Sequence, residues 1–219
     1  MQTLNKEKLG KFSASEIHKL FTGGATRQSY IFAKAKEIVK GHFKIFSSKD
    51  TDHGNMHEHE AVENFCKVTG LLAENLMQEY FPINDACGAT PDAKVVDFSG
   101  NILASMDCKC PTVTFFQQKM LFIKESKPEY QNSPKEYFFQ AQMQMLAMGV
   151  KEHYLVRYLT AMDIDYDGNA VEYDLPLDVR LFYQKIKADE RTQAQIIGLV
   201  AEAVKERDLL VQIFKKPIL

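Results

Sequence analysis

The sequence predicts a mixed α/β domain in which helices pack on a central sheet. Three observations lead there. Segments of helical periodicity fill the first third of the chain and its end. A hairpin pattern, "GATPDAKVVDFSGNILASMDCKCP", occupies the middle. An apolar helix, "YFFQAQMQMLAM", follows it, and further strand patterns come after. The 219 residues are long enough for one substantial domain or two small ones, and are read as one, residues 1–219.

The elements follow in order. "SASEIHKLF" is expected to be a short helix with a capping box formed by Ser13 and Glu16. "FTGGATRQS" is expected to be a loop, and "SYIFAKAKEIVKG" a helix closed by Gly41. "NMHEHEAVENFCKVTG" is a helix closed by Gly70. The hairpin turns at "DFSGN", and Pro111 ends its second strand. "SPKEYFFQAQMQMLAMGV" is a helix with Ser133 as cap and Pro134 at its first position. "EHYLVRYLT" and "AVEYDLP" are expected as strands joined across "DYDGN". From Asp178 to Ile213 the pattern reads as two helices.

Composition excludes some function classes. No apolar run is long enough to cross a bilayer. The polar start, "MQTLNKEKLGKF", lacks the apolar core of a signal peptide, so the cytoplasm is the expected compartment. There Cys66, Cys87, Cys108 and Cys110 are expected to be reduced. A net charge of −2 gives no global sign of a nucleic-acid binder, although local field steers a polyanion more than net charge does.

Within "MDCKCP", the alternation of a strand puts Cys108 and Cys110 on one face with Met106 and Ala104. The cysteines read as small hydrophobes, because C-x-C without a partner pair is weak for zinc. Asp107 and Lys109 share the other face. Alone they would read as a surface ion pair. Asp92, however, starts the preceding strand, and the hairpin would bring it beside Asp107. Two adjacent carboxylates repel unless a cation lies between them. Mg²⁺ or Mn²⁺ suits such oxygen ligands, and the Cys108 carbonyl could complete the set. Glu58 falls on the apolar stripe of Ala61, Val62, Phe65 and Val68, where a carboxylate needs a partner. Backbone or a lysine would serve it as well as a metal. Gln140 and Gln144 lie on a helix apolar nearly all round and also need partners, either backbone and water or the site.

Glutamate, then Pro-Asp, then Asp-x-Lys on adjacent strands, then a glutamine-bearing helix, resembles the PD-(D/E)XK nuclease superfamily. Within it, the chain is similar to the phage lambda-type alkaline exonucleases, the YqaJ-like viral recombinase group. "GNMHEHEA" has that group's Gly, Glu and Ala spacing. "GATPDA" is similar to its Ser-Pro-Asp-Gly turn, and "DCKCP" to its Glu-x-Lys-Cys-Pro strand. "QAQMQM" is similar to its repeated-glutamine helix, and "KLGKFSASEIHKLF" to its opening. The resemblance covers about residues 5–160.

That resemblance implies a PD-(D/E)XK core, with a central mixed sheet flanked by helices. It implies Mg²⁺-dependent (or Mn²⁺-dependent) 5′-to-3′ digestion of one strand of linear double-stranded DNA, with two ions bound. The 3′ overhangs left would feed strand-annealing recombination. It further implies a homotrimer around DNA ends, a single-strand annealing protein as partner, and the bacterial host cytoplasm if the gene is a phage's. By position, Asp92, Asp107 and the Cys108 carbonyl would hold metal, with Glu58 contributing directly or through water. Lys109 would orient or deprotonate the attacking water, with a lowered pKa, and Gln140 would help position it. Lys8, Ser15 and Thr90 would surround the terminal 5′ phosphate. Three positions depart from the pattern. Asp107 stands for Glu and draws the carboxylate back by one methylene. Thr90 stands for Ser and keeps a hydroxyl. Lys8 stands for Arg and gives up bidentate grip on phosphate.

Other features read plainly. His53 and His57 are expected to be exposed at a helix start, since "HEHE" is not H-E-x-x-H. Arg27 is expected to be a solvated loop residue or a DNA-backbone contact. "QQKMLFIKESKPEYQNSPKEY" could track a strand or lie as a solvated loop. Two alternatives stand beside the exonuclease: another endonuclease of the superfamily, and a non-catalytic DNA-binding or assembly subunit.

Overall fold

The computed structural model describes residues 6–43, 49–111, 135–164, 169–172 and 174–216. After a turn at Lys6–Lys8 come strand β1 (Phe12–Ser13), a 3₁₀ turn at Ala14–Glu16, and helices α1 (His18–Thr22) and α2 (Gly24–Lys40). The expected loop "FTGGATRQS" is therefore largely helix. Gly23 alone breaks it, with φ of 73°, a left-handed conformation that reorients the chain between two helices. Tyr30 and Ile31, buried along α2, supply the packing that outweighs two glycines. The capping box does not form. Ser13 makes no cap hydrogen bond, and Glu16 is drawn instead to Lys19 and Lys34. Gly41 does close α2, donating to Glu37 O at 2.9 Å.

Helix α3 (Lys49–Thr69) begins before the expected "NMHEHE" and ends as expected at Gly70, whose φ is 71°. Ala61, Val62 and Phe65 are buried, but Val68 is exposed, so the apolar stripe stops a turn early. Strands β2 (Leu72–Asn75), β3 (Phe81–Asn84), β4 (Cys87–Ala89), β5 (Ala93–Val96) and β6 (Ile102–Lys109) follow. Asp97 closes the β5–β6 turn by accepting from the backbone N–H groups of Ser99 and Asn101. Helix α4 (Lys135–Met148) is buried from Gln140 to Met145. The expected cap at Ser133 and Pro134, and most of the segment "QQKMLFIKESKPEYQNSPKEY", lie outside the described residues.

Strand β7 (Glu152–Tyr158) is followed by β8 (Met162–Ile164) and β9 (Ala170–Glu172). The expected pairing of "EHYLVRYLT" with "AVEYDLP" is replaced. β9 pairs with β8, and β7 lies between β6 and a strand that the sequence reading took for helix, β10 (Leu181–Lys187). The unpaired edge of β7 needs backbone partners, and "LFYQKIK" supplies seven of them in antiparallel register. A single helical turn at Leu177–Arg180 precedes β10 and one long helix, α5 (Glu190–Lys215), follows it, so the two expected helices are separated by a strand. Asp189 is the N-cap of α5, accepting from Thr192 N at 3.1 Å.

The main sheet has the order β10-β7-β6-β5-β2, with β6 and β7 parallel and the other neighbours antiparallel. Helix α3 covers one face, where Phe65 packs with Val95, Met106, Cys108, Val156 and Tyr158. Helix α4 covers the other, with Ala141 and Met145 on Leu155 and Ile186. A further core joins Met143 of α4 to Phe12, Ile17, Tyr30, Ile196 and Val200. No helix among the described residues is long and apolar enough to cross a membrane.

Candidate active site

The β5–β6 register pairs Ala93 with Met106. One step further, Asp92 therefore stands beside Asp107, as the hairpin pattern implied. Pro91 carries no N–H, and beyond this point the ladder gives way to a side chain. The Cys108 N–H donates to Asp92 Oδ2 at 2.7 Å. The parallel β7 brings its own residues onto the Asp107 face, and α4 roofs it.

Asp107 is 3% exposed and fully engaged. Its Oδ1 accepts from Gln140 Nε2 at 2.8 Å and from Gln144 Nε2 at 3.0 Å. Its Oδ2 meets the Lys109 ammonium. Burial pushes the Asp107 carboxyl up, but Lys109 and the Gln144 donor outweigh it and hold the group ionised. Lys109 also contradicts an expectation. Burial by itself would lower its pKa, but the charges of Asp107 and Asp92 raise it well above that of an ordinary lysine. In this arrangement Lys109 is held as a cation. Its Nζ also lies 5.2 Å from the centre of the Tyr137 ring.

Asp92 behaves differently. Burial first, and then the charge of Asp107, push its carboxyl well above the usual range, against the pull of Lys109. Glu58 from α3 is raised as well, by burial and by Asp107. Glu58 makes no hydrogen bond or ion pair with any described residue, so neither backbone nor lysine serves it. Three carboxylates thus share one region with a single lysine, a distribution that a bound cation relieves. Among the described residues, no three His, Cys, Asp or Glu side chains close around one point. A Mg²⁺ ion needs no such cage: one or two carboxylates hold it while waters and substrate phosphates complete its shell. The donor set, all hard oxygen, fits that ion. Cys108 and Cys110 do not compete for it, because burial raises both thiols and both sit in the core under α3.

Two residues before Asp92, Thr90 lines a cavity of about 820 Å³. Lys8, Lys11, Ser13, Lys19, Tyr30 and Tyr80 line it too. Lys8 and Thr90 are thus brought together as expected. Ser15 stands beside the cavity rather than in its wall, with its Oγ 3.3 Å from that of Ser13. Lys19 and Lys34 are paired with Glu16 and Glu37. Lys8 and Lys11 pair with no described carboxylate and instead lie over the Tyr80 ring, at 5.7 and 5.4 Å from its centre. Burial lowers the Lys8 pKa. From the sequence, neither Lys11 nor Tyr80 is expected here, and Ser13 reads only as a helix cap. Lys11 had a legible signal, one helical turn from Lys8, and Tyr80 had none.

His53 and His57 are not the exposed pair expected. Their rings are 4.7 Å apart, His53 Nδ1 lies 3.0 Å from the Cys110 carbonyl, and His57 pairs with Glu60 at 3.4 Å. Glu60 also accepts from Tyr158 and Thr160, which ties α3 to the end of β7. Arg27 is likewise no solvated loop residue. It binds Glu206 and Glu202 of α5.

A family model of the YqaJ-like viral recombinase domain matches residues 5–151. Among solved structures, the chain is similar to LHK-Exo in complex with dAMP, at 25% identity and a TM-score of 0.75 over 98% of this chain and 96% of that one. It is similar to the alkaline exonuclease LHK-Exo from Laribacter hongkongensis at 23% identity and a TM-score of 0.74, over 95% and 93% of the two chains. A phage-related exonuclease from Haemophilus somnus 129PT gives 19% identity and a TM-score of 0.73, over 94% and 96%. No curated protein matches by sequence.

Proposed function

This chain belongs to the YqaJ-like viral recombinase domain family and has the PD-(D/E)XK fold, and on that premise we propose that it is a Mg²⁺-dependent nuclease that digests one strand of linear duplex DNA from the 5′ end. The observation that carries the proposal is the Asp92–Asp107–Lys109 constellation at the ends of β5 and β6, roofed by Gln140 and Gln144. Asp92, Asp107 and the Cys108 carbonyl would hold the metal, and Glu58 would add a ligand directly or through water. When bound, such ions would supply polarisation of the phosphate and a nucleophile at neutral pH.

The chain's own groups do the rest. Gln140 and Gln144 fix the rotamer of Asp107 by donating to one oxygen, which leaves the other for cations. Lys109, held charged, faces negative charge as it builds on the phosphate and orients the attacking water by donating to it. Its raised pKa argues for this role over proton abstraction. In the neighbouring cavity, Lys8, Lys11 and the Thr90 and Ser13 hydroxyls suit a terminal phosphate, which carries more charge than an internal diester. A second ammonium, Lys11, offsets the fork that Lys8 lacks. Because Thr90 and Asp92 are two residues apart on one rigid turn, a phosphate seated at Thr90 sets the register of the strand over Asp92. Family membership alone supports the homotrimer and the annealing partner, and sedimentation velocity tests the first.

The deciding experiment compares initial rates on end-labelled linear duplex bearing a 5′ phosphate or a 5′ hydroxyl, and on closed circular duplex. With Mg²⁺, faster release from the phosphorylated 5′ end is expected, with no cutting of the circle and none in EDTA. Lys8→Ala should shrink the phosphate preference and leave residual cleavage. Cutting of the circle would replace the proposal with an endonuclease. Absence of any cleavage, with the protein bound to DNA, would favour a binding subunit.

A further inference from the structure

Arg157 on β7 is 7% exposed, yet it makes no hydrogen bond or ion pair with any described residue. Three other arginines differ. Arg27 holds Glu206, Arg180 holds the Tyr158 hydroxyl and the Leu159 carbonyl, and Arg207 holds Asp208 and the Gly10 carbonyl. Burial lowers the pKa of Arg157, and no carboxylate raises it; the Tyr137 phenol alone acts in that direction. A buried guanidinium without an anion is costly, and a neighbouring cation makes it more so.

That neighbouring cation is present. In the parallel β6–β7 ladder Arg157 is the register partner of Lys109, so both side chains leave the sheet on one face. The same face carries Asp107, whose charge is already taken up by Lys109 and two glutamine amides. Tyr137, at the start of α4, lies over Lys109 and is also the group felt by Arg157. The end of β7 therefore holds a guanidinium with no anion among the described residues, largely sheltered from water and directly beside the candidate catalytic lysine.

We propose that Arg157 is a phosphate-binding residue that takes the non-bridging oxygens of the backbone phosphodiester next to the one Lys109 faces. The inference rests on the nuclease reading and adds to it a subsite within the β6–β7 strand ends. A guanidinium suits this place because its planar fork grips two oxygens and is weakly hydrated, so it tolerates waiting there unpaired better than an ammonium would. The bound phosphate supplies the missing anion and fixes the strand beyond the scissile bond.

The test uses the whole chain, with Arg157→Gln, Arg157→Met and Arg157→Lys. Affinity for labelled duplex is measured against NaCl with Ca²⁺ in place of Mg²⁺, alongside melting temperature and steady-state cleavage with Mg²⁺. Arg157→Gln is expected to melt at or above the wild-type temperature. It should bind about tenfold more weakly, with a salt slope reduced by about one. The cleavage defect should fall mainly in KM, and Arg157→Lys should recover part of it. Wild-type affinity and salt slope in Arg157→Gln would overturn the proposal. So would full binding by Arg157→Met, which keeps the stem and loses the charge. If the wild type itself neither binds nor cuts duplex, the nuclease reading has failed; a normal wild type beside a normal Arg157→Gln removes the arginine alone.

Discussion

Asp92 and Asp107 are neighbours in one hairpin, but the fold treats them in opposite ways. Asp107 is tied to Lys109, Gln140 and Gln144, so truncating it strands a buried cation and two amides. Asp107→Ala should abolish cleavage and also cost about 3–5 kcal/mol of stability. Asp92 has one hydrogen bond, from the Cys108 N–H, and a carboxyl that burial and Asp107 push upward. Asp92→Asn should likewise abolish cleavage, but it should raise the melting temperature of the metal-free protein. Added Mg²⁺ should then raise the melting temperature of the wild type and leave Asp92→Asn unmoved. Thermal melts of both variants with and without Mg²⁺ decide this, and destabilisation by Asp92→Asn would remove the electrostatic account of the site.

At the scale of elements, α4 is the spine on which the site depends. Its successive faces meet different parts of the molecule: Gln140 and Gln144 meet Asp107, Ala141 and Met145 the sheet, Met143 the N-terminal core. Gln142 closes the remaining direction. It donates to the Lys187 carbonyl at 2.9 Å and accepts from the Asp189 N–H at 2.8 Å, which links α4 to the end of β10 and the cap of α5. Gln142→Leu removes both of these part-buried hydrogen bonds, an expected loss of about 1–3 kcal/mol. Because Gln142 touches nothing in the site, kcat of the folded fraction should be unchanged. Urea denaturation with activity normalised to folded protein checks both halves, and a fall in kcat would mean that α5 reaches the catalytic groups.

For the whole molecule, one buried histidine beside the site contributes a separable part of the acid sensitivity. His153, 1% exposed, has Nδ1 2.9 Å from the Ser105 hydroxyl on the Asp107 face. Burial lowers its pKa to about 4, against the pull of Asp107. A base whose folded pKa lies below its unfolded value takes up its proton more readily when unfolded. Its contribution is therefore complete above the unfolded value near 6.5 and is lost as the pH falls from there towards about 4. Between pH 7 and pH 4.5 the metal-free wild type should lose about 2.5 kcal/mol more than His153→Gln. The raised carboxyls of Asp92 and Glu58 act in the opposite direction, but they are present in both proteins and drop out of the difference. Parallel stability curves for the two proteins would show that His153 carries its proton in the folded state.

The sequence by itself determined the hairpin, its register and the company Asp92 keeps with Asp107, because strand alternation and a turn at "DFSGN" leave little freedom. It determined the ends of α2 and α3, since Gly41 and Gly70 occupy left-handed backbone where each helix stops. It also marked Gln140 and Gln144 as amides needing partners inside an apolar helix. Tertiary structure decided the rest. "LFYQKIK" has no strong period of its own and became β10 because the open edge of β7 needed backbone partners. "FTGGATRQS" became helix because Tyr30 and Ile31 pack one turn on. The charge state of Lys109 was settled by two carboxylates converging on it from adjacent strands, a field that no local window of residues contains. For the same reason, the isolation of Arg157 beside Lys109 became visible only when two strands 48 residues apart were laid in parallel register.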